Sequence, residues 1–202
     1  MIEPYPRARY VLPHAVRSVA ALVGVTIVYE THSISVDNER GVATGWLPGR
    51  LSDRGRALAR ELGERRRNDG VNVVFTSDLA RAVETAELAF AGSGIPIRRD
   101  PRLRECNYGD LNGTSAKELS ARKTDFMDTP FPGGESYRDV VERTRSLLDD
   151  LSRDFDGMRV VLIGHSATKW ALDHLLKGQD LTAAMNGDFA WQPGWEYALG
   201  SV

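Results

Sequence analysis

An α/β fold, a three-layer sandwich with a mostly parallel central sheet between helices, is what this 202-residue sequence predicts. Short β-branched runs alternate with helix-like stretches from residue 25 onward, the pattern of strands joined by helical crossovers. Two of those runs end in a histidine, His32 and His165, at the place where open α/β sheets form their sites. With 42% apolar and 27% charged residues, the chain is also large enough to bury a substantial core without disulfides or metal.

The elements follow in order. Strands are predicted at 25–29, 72–75, 95–98 and 159–163, each a short run rich in Val and Ile. Ser52 and Asp53 offer an N-cap to a helix carrying Leu58, Ala59 and Leu62, and Ser77 and Asp78 offer another before Ala82, Ala86 and Ala89. A third helix spans about 136–155, with Val140, Val141, Leu147, Leu148 and Leu151 on one stripe, and a fourth spans about 167–176. Two long irregular segments, 30–50 and 102–115, are rich in Gly and Asn and are expected to carry function. The turn-dense 129–135 is expected to stop the chain before the third helix and to fold over a pocket. Residues 1–24 read as an N-terminal extension to a domain at 25–202.

Composition narrows the partners. A net charge of −2 argues against a nucleic acid held by global electrostatics, and no run approaches the roughly 20 apolar residues of a membrane span. Cys106 is the single cysteine, which excludes an internal disulfide framework and fits a reducing, cytoplasmic setting. His174, among leucines, reads as structural, and His14 lies in the extension. Trp46, Trp191 and Trp195 read as packing residues or as the mouth of a pocket.

Two histidines, an arginine at a helix start and a carboxylate form a set suited to phosphoryl chemistry. One imidazole can attack phosphorus, Arg81 and the other imidazole can hold its oxygens, and Glu105 can protonate the departing oxygen. Read singly, each residue has an ordinary alternative: Arg81 can pair with Asp78 or Glu84, and Glu105 with Arg102 or Arg104.

The order and spacing resemble the histidine phosphatase superfamily, whose fold is called phosphoglycerate mutase-like. The matching residues are His32 with Asn38, Gly45-Trp46, Leu51-Ser52 with Gly55, Ser77-Asp78-Leu79-Ala80-Arg81, Leu103-Arg104-Glu105, Pro132-Gly133-Gly134-Glu135-Ser136 and Gly164-His165. They cover roughly residues 25 to 180. The resemblance implies that His32 is a nucleophile forming a phosphohistidine and that Glu105 is the proton donor. It implies that Arg81 and His165 bind the phosphoryl oxygens, with Asn38 lining the pocket, and that neither metal nor organic cofactor takes part. The expected partner is a small phosphorylated substrate; whether the chain pairs as a homodimer is left open.

The pattern departs from the family at the nucleophile's flanks. Thr31 stands where the family has arginine, offering the phosphoryl group one neutral hydroxyl in place of a charged fork, and Ser33 stands in place of glycine. Arg40, Arg50 and Arg54 lie near enough in sequence to restore the charge, and Glu30 either faces the pocket or turns from it. The expected activity is phosphomonoester hydrolysis. Phosphoglycerate mutase-type transfer, or a weakly active or inactive phosphate-binding regulatory role, are the alternatives.

Overall fold

A computed structural model describes residues 24–187 and 192–200. Five strands form one sheet in the order β3-β2-β4-β1-β5. They are β1 (Val25–Thr31), β2 (Val73–Thr76), β3 (Ile97–Arg99), β4 (Arg159–Gly164) and β5 (Trp195–Leu199). The first four pair in parallel, and β5 runs antiparallel along the outer side of β1. The predicted architecture is therefore present.

Alternating side chains divide the sheet's two faces. Val28, Val74, Val161 and Ile163 pack under α2 (Asp53–Arg66) and α3 (Ala80–Phe90) through Leu62, Ala82, Ala86, Ala89 and Phe90. Ile27, Tyr29, Phe75 and Leu162 face the opposite way, onto Leu147, Leu148 and Leu151 of α5 (Tyr137–Asp154) and Leu172 of α6 (Ser166–Lys177). Period two along each strand thus supplies both cores. The close seam between α2 and α3 depends on Gly63, where a Cβ would lie 2.0 Å from the Ala89 carbonyl oxygen.

Ser52 caps α2 as expected, accepting from Gly55 N, and Ser136 caps α5 in a reciprocal box with Asp139. The start of α3 differs from expectation. Leu79 occupies the N-cap with no side-chain bond; Ser77 Oγ instead accepts from Leu79 N, and Asp78 is drawn away by Arg104. The strand expected at 95–98 begins two residues later, at Ile97.

Three short helices interrupt the segments beside the strand ends: α1 (Val36–Arg40), α4 (Ala116–Arg122) and α7 (Leu181–Asn186). Leu119, Leu181 and Met185 close a further core with Cys106, Phe131 and Val140. Phe131 is buried there, so the 129–135 segment docks against the Glu105 loop, where Glu135 accepts from Asn107 N, and lines neither of the two cavities at the strand ends. No described helix is long and apolar enough to cross a membrane. The extension expected at 1–24 falls outside the described residues apart from Gly24, as do His14 and Trp191.

Candidate active site

Register brings the two histidines together. Thr31 pairs with Gly164 across β1 and β4, and His32 N donates to Gly164 O at 2.9 Å, so the next residue of each strand lies beside the other. The imidazole centroids are 4.9 Å apart. On the neighbouring strand, Ser77 N donates to Ile163 O, and this fixes the start of the turn that leads into Arg81.

The tautomers follow from the partners. His32 Nδ1 lies 2.7 Å from the Ser33 carbonyl, which can only accept, so Nδ1 carries the proton and Nε2 holds the lone pair. Arg81 Nε donates to that lone pair at 3.3 Å. Arg81 Nη2 lies 3.2 Å from His165 Nδ1, and because guanidinium only donates, His165 Nδ1 accepts and its proton sits on Nε2. Burial, with the Arg81 charge second, pushes the His32 imidazole down to about 3. The same two causes, in the same order, hold His165 well below the ordinary histidine range. Both rings are therefore neutral at physiological pH.

Arg81 is 2% exposed, and Asp78 and Glu84 do not take it. Asp78 is held by Arg104, and Glu84 by Arg56 and Leu51 N. The guanidinium is instead positioned by the carbonyl of Gly45, a glycine at φ +52, with Nη2 to O at 2.9 Å. Within this cluster of Arg81 and the two histidines, two buried donors are left without a partner, Arg81 Nη1 and His165 Nε2. Such groups cost free energy unless something accepts from them, and an anion would accept from both.

Glu105 is buried at the edge of this cluster, its Oε1 accepting from Cys106 N at 2.9 Å and Ala167 N at 3.2 Å. Desolvation, the largest influence, raises its carboxyl above the usual range in spite of those bonds and of Arg81. A raised carboxyl is suited to giving up a proton near neutrality. The Glu105 backbone is clamped from two sides: Trp46 Nε1 donates to its carbonyl at 2.7 Å and Arg143 Nη2 at 3.0 Å. Arg104 stacks over the Trp46 ring at 4.5 Å.

Asn38 Oδ1 is absorbed by a capping box with Ser35, which leaves Nδ2 as the donor of a side chain that lines both cavities. Glu30 lines one of the strand-end cavities but is paired there with Arg66 Nε at 2.8 Å, and the Ser33 hydroxyl is directed into α2, donating to Gly55 O at 2.7 Å. Ser33 therefore does not crowd His32. Trp195 packs against Tyr29 in the sheet core, His174 Nδ1 lies against the Gln179 carbonyl, and Cys106 is buried.

Two cavities meet at His32, Asn38 and Ser166. The first, of about 470 Å³, holds Arg81 and Glu105 and is walled by Tyr108, Tyr137, Trp170 and Lys123. The second, of about 570 Å³, contains Thr31 and His165 and is bordered by Arg54 of α2; Arg40 and Arg50 line neither among the described residues. Sequence reasoning gave no role to Arg143 or Lys123, which carry no local signal and reach the site only through tertiary packing. Ser166 was visible as the residue after Gly164-His165. Among the described residues, no three His, Cys, Asp or Glu side chains converge as a metal site.

Comparison with known proteins agrees with the fold. The model of the histidine phosphatase superfamily (branch 1) matches residues 30–190. A 2,3-bisphosphoglycerate-dependent phosphoglycerate mutase of Methylobacterium radiotolerans is 36% identical over 183 residues, 83% of this chain and 85% of that protein. Among solved structures, Bacillus stearothermophilus YhfR superposes with a TM-score of 0.75 at 24% identity, covering 88% of this chain and 98% of its own. A mycobacterial glucosyl-3-phosphoglycerate phosphatase, in a complex with VO3, gives a TM-score of 0.68 at 26% identity over 89% of both chains.

Proposed function

The chain belongs to the histidine phosphatase superfamily, and on that premise we propose that it is a phosphomonoester hydrolase working through a phosphohistidine on a small phosphorylated metabolite in the cytoplasm. The observation that carries this reading is the pair of unpartnered buried donors, Arg81 Nη1 and His165 Nε2, beside a neutral His32 whose Nε2 lone pair accepts from Arg81 Nε. Such a constellation is complementary to a phosphoryl group and to little else of that size.

His32 Nε2 attacks phosphorus while Arg81 and His165 hold two of its oxygens. Glu105 gives its proton to the departing alcohol, and the resulting carboxylate then takes a proton from the water that cleaves the phosphorus–nitrogen bond. Neutrality of both rings matters at each end of this sequence. A protonated His32 could not attack, and a neutral His165 still donates through Nε2. Asn38, where the two cavities meet, and Thr31, in the second, supply neutral donors.

Phosphoglycerate mutase-type transfer is the second reading, favoured by the name of the 36%-identical relative. The two are separated by incubating the protein with p-nitrophenyl phosphate and with 3-phosphoglycerate and following the products by phosphorus NMR. Inorganic phosphate supports hydrolysis, and an isomeric phosphoglycerate supports transfer. Release of phosphate at the wild-type rate by His32→Ala would falsify the nucleophile in either case.

A further inference from the structure

Phosphorus attacked in line by His32 must lose its leaving group toward Glu105, which places that group in the first cavity. The remaining substituents on phosphorus are then equatorial. Two of them are met by the unpartnered donors of Arg81 and His165. The third faces the Thr31 side, where no motif cation stands and where the second cavity opens directly onto His32 and His165. Ile34, Leu58 and Leu62 give it an apolar wall, Arg54 and Arg65 of α2 also line it, and the one carboxylate in it, Glu30, is neutralised by Arg66.

A phosphomonoester has one organic substituent and needs one cavity; two cavities meet at this nucleophile. The charge tells the same story. The guanidinium in contact with the two imidazoles is that of Arg81, and with the neutral His165 it offers donors to the two non-bridging oxygens of a diester monoanion. We propose that the cavity beside Thr31 is a subsite for a second, retained organic substituent, so that this protein cleaves phosphodiesters with an apolar or aromatic group on that side.

The step uses the machinery of the function proposed above and rests on it. The His32 Nε2 lone pair forms the nitrogen–phosphorus bond as the bond to the leaving oxygen breaks, and the Glu105 proton goes to that oxygen. Water then replaces nitrogen, returning its proton to Glu105. A diester and water yield an alcohol and a phosphomonoester, with no other reactant.

The test compares kcat/KM for bis(p-nitrophenyl) phosphate and p-nitrophenyl phosphate in the wild type, Leu58→Trp, Thr31→Arg and Arg54→Ala, with His32→Ala as the blank. The wild type is expected to cleave the diester at least as well as the monoester. Leu58→Trp, filling the subsite at a half-buried position, is expected to lower the diester-to-monoester ratio by about tenfold or more. Thr31→Arg is expected to shift that ratio in the same direction while raising monoester turnover. A diester left intact by a protein that cleaves the monoester overturns the subsite and leaves the first reading standing. An unchanged ratio in Leu58→Trp overturns it as well. So does a monoester rate lost in Arg54→Ala and restored by adding Thr31→Arg, which would make Arg54 the replacement for the motif cation. Failure of the wild type on both substrates removes the His32 reading itself.

Discussion

Replacing Arg81 by lysine keeps the charge and removes the fork. In the wild type three of its contacts are set by planar geometry: Nε to His32 Nε2, and Nη2 to both His165 Nδ1 and the Gly45 carbonyl. A lysine ammonium can satisfy one or two of these but cannot also aim Nη1 into the pocket, so at least one phosphoryl contact is lost. Losing one preorganised donor to a transferring group costs roughly 10² to 10³ in kcat, and that loss is expected for Arg81→Lys with p-nitrophenyl phosphate. Stability should fall by only about 1–3 kcal/mol, from hydrogen bonds lost and a carbonyl left unmet, as measured by urea denaturation. Arg81→Gln separates charge from geometry. Because the Arg81 charge is the second cause of the depressed His32 pKa after burial, its removal should raise the His32 titration from about 3 while leaving it below the free-imidazole value, as read by NMR. A lysine variant within about threefold of wild type, or a His32 titration unmoved in Arg81→Gln, would refute the arrangement of these three side chains.

Two more expectations follow from burial. Glu105→Gln should cost about 10² to 10⁴ in kcat on an alkyl phosphate, whose leaving oxygen needs a proton, and markedly less on p-nitrophenyl phosphate; equal losses on the two would remove Glu105 from the donor role. Acid should destabilise the fold through the histidines. Unfolded, His32 binds a proton near its ordinary pKa of about 6.5, whereas folded it resists to about 3. Between those values the unfolded chain holds more protons, so stability falls as pH falls. Lowering the pH from 6.5 to 5 should cost at most about 2 kcal/mol from His32, and His32→Asn should flatten the profile measured by urea denaturation. An identical slope in that variant would argue that His32 is solvated in the fold.

The legible parts of this sequence were those where one physical requirement dominated. Strands β1 and β4 are covered on both faces, so their apolar runs announced themselves, and the pairing of Thr31 with Gly164 then carried both histidines into contact. The α5 start was legible because Ser136 and Asp139 satisfy each other. Strand β5 was missed: it lies at the sheet edge, with Trp195 and Tyr197 inward and Glu196 outward, and five residues of alternation after a turn are a faint signal. Short α1, α4 and α7 were missed because brief helices depend on tertiary packing more than on propensity. At the site, residue types were readable but their orientation was not. Which of Asp78, Glu84 or the pocket takes Arg81, and whether Glu30 faces His32, are settled by Arg104, Arg56 and Arg66 arriving from other elements. The substitution at Thr31 was plain in the sequence, while the cavity beside it became visible only when β1, α2 and the start of α6 were set together.

The clamp on the Glu105 carbonyl bears on when order is established. Trp46 comes from one loop and Arg143 from the middle of α5, and Arg143 Nη1 also reaches the Arg102 carbonyl at 2.6 Å. Loops of this kind commonly order around a ligand, and affinity is then lost to the entropy of ordering. Here the Glu105 backbone is immobilised by contacts that need no ligand. That entropy is surrendered as the chain folds, and what remains for a substrate to arrange is chiefly itself.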